Sequence, residues 1–213
     1  MRVALTLVSG GAAVAGFAAC GVLGRTLGRP WPLAIDVRAT ALRGRHVALA
    51  AFFTALGRWW AIVLVTAVAA AGCVELRGDL HPLAFVFVSQ LGAQALVTGL
   101  KCLYRRVRPA GWLRRKEADL SFPSGHATTA VVFYGGLLVW VSHLKVPFTL
   151  ASVVTVALGA CCIGIPWSRL ALGAHYATDV LGGLCLGTGW SCALVAIGAQ
   201  CAFASEQVRV LRP

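Results

Sequence analysis

Charge is scarce in this 213-residue chain: Asp, Glu, Lys and Arg make up 12% of it, and only seven residues are acidic. Soluble domains carry about 25% charged residues, so the deficit excludes an ordinary water-soluble enzyme. With 59% of residues hydrophobic, it excludes disorder as well. No two cysteines have Cys-x-x-Cys spacing, which removes the common zinc and redox motifs. The eight cysteines lie in or beside apolar runs, and Cys102 follows Lys101; small apolar filler explains them better than a disulfide framework. The apolar stretches also lack the regular alternation of a transmembrane barrel, and there is no long linker and no clear internal repeat. What remains is hydrocarbon, with a mean hydropathy of +0.80, and the solvent it implies is a lipid bilayer.

Backbone polar groups must be satisfied internally in lipid, so the expected elements are helices. Six apolar segments approach the roughly 20 residues that cross a bilayer: Val3–Leu23, Val47–Cys73, Leu83–Leu100, His126–Val141, Phe148–Ile165 and His175–Phe203. The first is read as a retained membrane helix rather than a removed signal. The Gly57-Arg58-Trp59-Trp60 cluster moves the membrane entrance of the second toward Trp59, since Trp pairs favour the interface. The expectation is one all-α, integral-membrane six-helix bundle over residues 1–213, with both termini on one side. The loops after spans one, three and five then share the opposite side.

Nineteen basic residues against seven acidic ones give a formal charge of +12. Because these charges sit between apolar segments, they suit lipid headgroups or a phosphorylated ligand, and nucleic acid is not an expected partner. Three polar clusters fall on the shared side. In the first, Lys101 and Arg108 are seven residues apart, about two helical turns, and can reach one anion. Basic residues flanking a membrane helix also serve as simple interfacial anchors. The second is Pro123-Ser124-Gly125-His126 immediately before an apolar helix: a hydroxyl, a close backbone approach and free amides suit phosphate, and His126 suits proton donation. A capped helix start with an incidental histidine is the plainer alternative. In the third, Ser168-Arg169 precedes His175 and Asp179, which lie four apart on one helical face. An Asp beside imidazole holds one ring nitrogen protonated and leaves the other as a nucleophile; a helix cap or a simple polar contact is the plainer alternative.

Taken together, Lys–six residues–Arg-Pro, then Pro-Ser-Gly-His, then Ser-Arg–five residues–His–three residues–Asp resembles the type 2 phosphatidic acid phosphatase superfamily, in its membrane-embedded lipid phosphatase branch. No motif residue departs from the pattern, which spans residues 101–179. The resemblance implies His175 as nucleophile through a phosphohistidine, Asp179 as its orienting carboxylate and His126 as acid and then base. It implies Lys101, Arg108, Ser124, Gly125 and Arg169 as phosphate ligands, with no metal and no cofactor demanded. The implied reaction is hydrolysis of a phosphate monoester or pyrophosphate on a membrane lipid: undecaprenyl pyrophosphate, phosphatidic acid or phosphatidylglycerol phosphate. Phosphotransfer to another acceptor shares the same intermediate. A non-catalytic phosphate-lipid binding or transport protein is the alternative from another class, and protein partners are left open.

Among the remaining residues, Arg105, Arg106, Arg114, Arg115 and Lys116 are read as facing headgroups or the substrate entrance. Asp36 either organises the first loop or caps it, and Tyr104, Trp112, Trp167 and Tyr176 are read as rim packing. The resemblance also implies a bacterial cytoplasmic membrane with the site facing outward. Charge bias opposes that: thirteen of the nineteen basic residues fall on the site's side, which the positive-inside rule assigns to the cytoplasm.

Overall fold

The structure, a computed structural model, describes residues 2–27, 33–76, 78–110 and 119–210, and among these it is helical with no strand. In chain order the helices are α1 (Arg2–Thr26), α2 (Ala34–Ala39), α3 (Val47–Leu56), α4 (Trp59–Glu75), α5 (His81–Tyr104), α6 (Gly125–Val141), α7 (Phe148–Ala171) and α8 (Ala177–Val210). Within α6 the stretch Ala130–Gly135 is π-helical, so it continues the helix rather than ending it.

The expected count of six is therefore corrected to eight among the described residues. Four helices, α1, α5, α7 and α8, are long and apolar enough to cross a membrane. The predicted second span is broken: α3 and α4 meet at a bend of 64°. The physical cause lies at Gly57-Arg58, where Arg58 takes an extended backbone (φ −86°, ψ 154°) and caps the next helix. A guanidinium in mid-span is costly in hydrocarbon, so the chain turns there. The other addition, α2, forms in the first loop because the Asp36 carboxylate reaches back 3.3 Å to the Leu33 amide. Two boundaries also move: the last helix starts at Ala177 rather than His175, which leaves His175 in a turn, and the fifth span lengthens. The predicted fifth span runs past Ile165 to Ala171, with Pro166 inside the helix, so Ser168 and Arg169 lie on helix rather than in a loop. In lipid, continuing a helix through proline frees fewer backbone groups than stopping it.

Large apolar side chains such as Leu7, Val14, Phe148, Val156 and Ile163 point outward, an arrangement that suits hydrocarbon and not water. With its long apolar helices, this is an integral membrane protein. The main core gathers Ile62, Val86, Phe133, Leu137, Trp140 and Ile165 from α4, α5, α6 and α7. Polar contacts join helices as well: Gln90 Nε2 donates to Thr129 Oγ1 at 2.8 Å and Trp190 Nε1 to the Ser89 carbonyl at 2.9 Å. The long α1–α8 contact closes at a glycine crossing, where a β-carbon on Gly16 would fall 2.7 Å from Gly189 Cα.

All of this brings the C-terminal ends of α5 and α7 to the N-terminal ends of α6 and α8, as the loop grouping predicted. The Ser124 amide donates to the Asp179 carbonyl at 3.0 Å, locking the starts of α6 and α8 together.

Gly16→Ala is expected to lower the thermal midpoint of the detergent-solubilised protein through an overpacking cost of about 1–3 kcal/mol. Gly11 lies on the same helix with nothing within 4 Å of an added β-carbon. Gly11→Ala should instead be neutral or stabilising by up to about 1 kcal/mol. Equal shifts for the two variants in a thermal unfolding assay would refute the crossing as the source of the effect.

Candidate active site

The first cluster straddles the end of α5. Lys101 lies in its last turn, and Arg105 then adopts a left-handed backbone (φ 49°) that ends the helix. The irregular segment that follows meets the approach to α6 through one hydrogen bond, from the Ser121 amide to the Arg106 carbonyl at 2.8 Å. Arg108 is buried: Nε donates to the Asp119 carbonyl at 2.9 Å, Nη2 to Asp119 Oδ1 at 2.5 Å and Nη1 to the Ala174 carbonyl at 3.0 Å. Lys101 Nζ also pairs with the Asp119 carboxylate. Burial alone would raise the pKa of Asp119, but hydrogen bonds and charge from Lys101 and Arg108 outweigh it and hold the carboxyl below its usual range. An anion thus already rests on the two cations of the first motif.

His175 sits in the short turn between α7 and α8. Its Nε2 lies 2.8 Å from Arg108 Nη1. A guanidinium only donates, so Nε2 accepts and the ring proton resides on Nδ1, which faces Asp179 Oδ2 at 3.4 Å. Burial pushes the imidazole pKa down to about 4, Arg169 and Arg108 add to that, and the hydrogen bond to Asp179 opposes it. The ring is therefore neutral at ordinary pH, with its lone pair on Nε2.

Asp179 is fully buried and well held. Oδ1 accepts from Arg106 Nη1 at 2.6 Å; Oδ2 accepts from the Tyr176 amide at 2.9 Å and from the Ser121 hydroxyl. Arg106 extends this network: Nη2 reaches Asp36 Oδ2 at 3.0 Å, and its guanidinium lies 4.0 Å over the Tyr176 ring. Asp36 in turn accepts from Thr178, from the amide at 2.9 Å and the hydroxyl at 2.8 Å. The expectation that Arg106 faces headgroups is therefore corrected, because two buried carboxylates demand its charge. Arg105 is exposed. Trp112, Arg114, Arg115 and Lys116 lie outside the described residues. Tyr104 packs edge-on against Phe122 and Trp167 against Phe53, in keeping with packing roles.

A cavity of about 590 Å³ opens beside this network, and Lys101, Arg108, Gly125, His126 and His175 line it. His126 packs against the backbone of Gly57, and its buried Nε2 has no hydrogen-bond partner among the described residues. Two predicted phosphate ligands lie behind the wall instead. Ser124 is buried with its hydroxyl capping α6, accepting from the Ala127 amide at 3.4 Å. Arg169 is buried too, with Nη1 donating to Thr54 Oγ1 at 3.3 Å, and Thr54 Oγ1 lies 2.8 Å from Ser168 Oγ. Sequence reading missed Ser121, Thr54 and Asp119. Ser121 adjoins the second motif, which was the one available signal; Thr54 lies on a different helix and had none.

The sequence model of the PAP2 superfamily matches residues 82–201. Phosphatidylglycerophosphatase B of Bacillus subtilis (strain 168) is 35% identical over 90 residues, 38% of this chain and 41% of that protein. The chain thus matches about two fifths of the length of that curated relative. The crystal structure of the first transmembrane PAP2 type phosphatidylglycerolphosphate phosphatase from Bacillus subtilis superimposes with a TM-score of 0.72 at 23% identity. That superposition covers 94% of this chain and 98% of the other, and it establishes the shared fold.

Removing the Arg106 guanidinium leaves Asp36 and Asp179 as unpaired buried charges, so Arg106→Ala is expected to cost about 3–5 kcal/mol of stability. Adding Asp36→Asn should recover part of that loss, because one of the two stranded charges disappears. Thermal unfolding of the single and double variants checks it; a double variant no more stable than Arg106→Ala would disprove the bridge.

Proposed function

We propose that this chain, which belongs to the PAP2 superfamily, is a metal-independent phosphatase that hydrolyses a phosphate ester or pyrophosphate on a membrane lipid through a phosphohistidine. The observation that carries the reading is His175: a buried, neutral imidazole whose proton is fixed on Nδ1 by Asp179 and whose Nε2 lone pair opens onto a cation-lined cavity. The name of the Bacillus subtilis relative favours phosphatidylglycerol phosphate among the candidate substrates.

In the proposed sequence an incoming phosphoryl group exchanges for Asp119 on Lys101 and Arg108, and its oxygens draw the Arg108 Nη1 hydrogen bond away from His175 Nε2, freeing that lone pair. His175 Nε2 attacks phosphorus, the bond to the lipid oxygen breaks, and His126 gives that oxygen its proton. His126 then takes a proton from water, which attacks phosphorus and breaks the P–N bond, releasing inorganic phosphate and restoring both rings. Asp179 stabilises the transient positive charge on His175, while Lys101, Arg108 and the Gly125 amide stabilise charge on the equatorial oxygens. Arg169 and Ser124 act from behind, Arg169 through its positive field and Ser124 by fixing the start of α6. The lipid tail stays in the bilayer while the headgroup enters the cavity.

Purified protein assayed in detergent against a panel of phosphorylated lipids, with a chelator present, should release phosphate. His175→Ala should abolish release and His126→Gln should lower kcat by about 10²–10⁴-fold. Activity should persist in mild acid and fall as pH drops through about 4, where His175 gains a proton and Nε2 loses its lone pair. Full activity in a folded His175→Ala protein would rule out the nucleophile.

The proposal includes a site on the outer face of a bacterial cytoplasmic membrane, as the family resemblance implies. Lys101, Arg106, Arg108 and Arg169, four of the thirteen basic residues on that side, are engaged in the site, which weakens the opposing charge count. Cys102, exposed in the last turn of α5, should react with a membrane-impermeant maleimide in intact cells. Labelling only after cell lysis would reverse the orientation.

A further inference from the structure

Arg58 is a cation that the sequence of steps above leaves without a task. It stands at the 64° break between α3 and α4, and its extended backbone caps the start of α4. Among the described residues no carboxylate pairs with its guanidinium, whereas Lys101, Arg106 and Arg108 all have acidic partners. It lines the same cavity as Lys101, Arg108, His126 and His175. The hydrogen bonds of α4 begin with the Ala61 amide donating to the Arg58 carbonyl at 3.1 Å, so the Trp59 and Trp60 amides precede the helical ladder.

The position of Arg58 relative to His126 gives these facts a direction. A β-carbon on Gly57 would fall 2.4 Å from His126 Cδ2, so the backbone at the break lies directly against that ring. Arg58 is the next residue and lines the same cavity as that ring. In an in-line displacement the leaving oxygen departs on the side away from the nucleophile, where the acid waits. Whatever that oxygen carries therefore lies beside Gly57 and Arg58. A leaving diacylglycerol brings no charge there, whereas a leaving group with a phosphate of its own brings an anion.

We propose that Arg58, with the first turn of α4, binds a second phosphate on the leaving group and makes the enzyme selective for lipids bearing two phosphates. The proposal rests on the reading of His175 as nucleophile and His126 as acid. Two lipid chemistries supply such a leaving group. In phosphatidylglycerol phosphate it is the diester phosphate beyond the glycerol; in a prenyl diphosphate it is the phosphate retained on the lipid, one oxygen away. Phosphatidic acid has neither. The break in the helix then has a chemical purpose: an unbroken span would carry residue 58 along the helix and away from the mouth of the site.

The experiment measures kcat/KM for phosphatidic acid, phosphatidylglycerol phosphate and a prenyl diphosphate, each in mixed micelles of a non-ionic detergent. Wild type, Arg58→Gln, Arg58→Lys and His175→Ala are compared. Because the readout is a ratio of substrates on one preparation, a partly misfolded variant does not distort it. Arg58→Gln should lower the ratio of at least one two-phosphate substrate to phosphatidic acid by about 10- to 100-fold, the loss expected for one charge-assisted contact. Arg58→Lys should recover part of that ratio. Which of the two diphosphorylated lipids loses more identifies the spacing the site accepts. An unchanged ratio for both would overturn the proposal, whether activity falls on all three substrates alike or on none. The His175→Ala arm tests the underlying reading separately: activity surviving there removes the phosphohistidine and not the contact at Arg58.

Discussion

The guanidinium of Arg106 lies between Asp36 and Asp179, two carboxylates with no exposed side-chain surface. Few arrangements are tolerable for two negative charges buried at the edge of an apolar bundle, and most of the site follows from this one. Holding Asp36 brings α2 down onto Thr178 at the start of α8, so the first loop becomes part of the site's wall. Holding Asp179 leaves its second oxygen to Ser121, the Tyr176 amide and His175, and that set fixes the imidazole's tautomer. The side of the ring that carries the Nε2 lone pair is thereby set by an ion pair whose arginine lies outside the cavity lining.

Helices and the meeting of three polar clusters at one end were legible in the sequence, because hydropathy marks spans and an even count fixes which loops share a side. Spacing was equally informative for His175 and Asp179, four apart at a helix start. What escaped were contacts that cross the bundle. Arg106 looks like its neighbour Arg105, yet a reversal of the backbone at residue 105 leaves Arg105 exposed while Arg106 reaches the buried carboxylates. Asp36 gives no periodic signal, since its partners are 70 and 142 residues away in the chain. The bend at Gly57-Arg58 and the passage of α7 through Pro166 escaped for the opposite reason: each turns on one residue, the charge of Arg58 or the ring of Pro166, which a hydropathy window averages out.

The excess of positive charge takes on a different meaning once these partners are known. Asp119 lies on Lys101 and Arg108, and Asp36 and Asp179 lie on Arg106, so the first motif region is close to locally neutral. Packing several cations around an empty anion site costs self-repulsion in a low dielectric, and a carboxylate on a loop relieves it. Asp119 is half exposed, unlike the other two, so it retains contact with the water that receives it in the proposed exchange for phosphate. That proposed exchange replaces one anion by another and spares the site a large change in net charge.

The remaining asymmetry is between the two ends of the cavity. At the His175 end Lys101 and Arg108 are tied to a carboxylate or a backbone carbonyl and are held in place before any ligand binds. At the Arg58 end the cation is exposed, and Trp59 beside it is 75% exposed. Catalysis requires the first kind of group, since a phosphoryl transition state gains most from charges that do not reorganise. The selection proposed for Arg58 suits the second: an exposed cation at the cavity mouth can meet headgroups of different reach and stays in water when the leaving group is neutral. A broken helix supplies that cation without opening the bundle, because α3 remains packed beside Arg169 through Thr54 while α4 restarts at the cavity mouth.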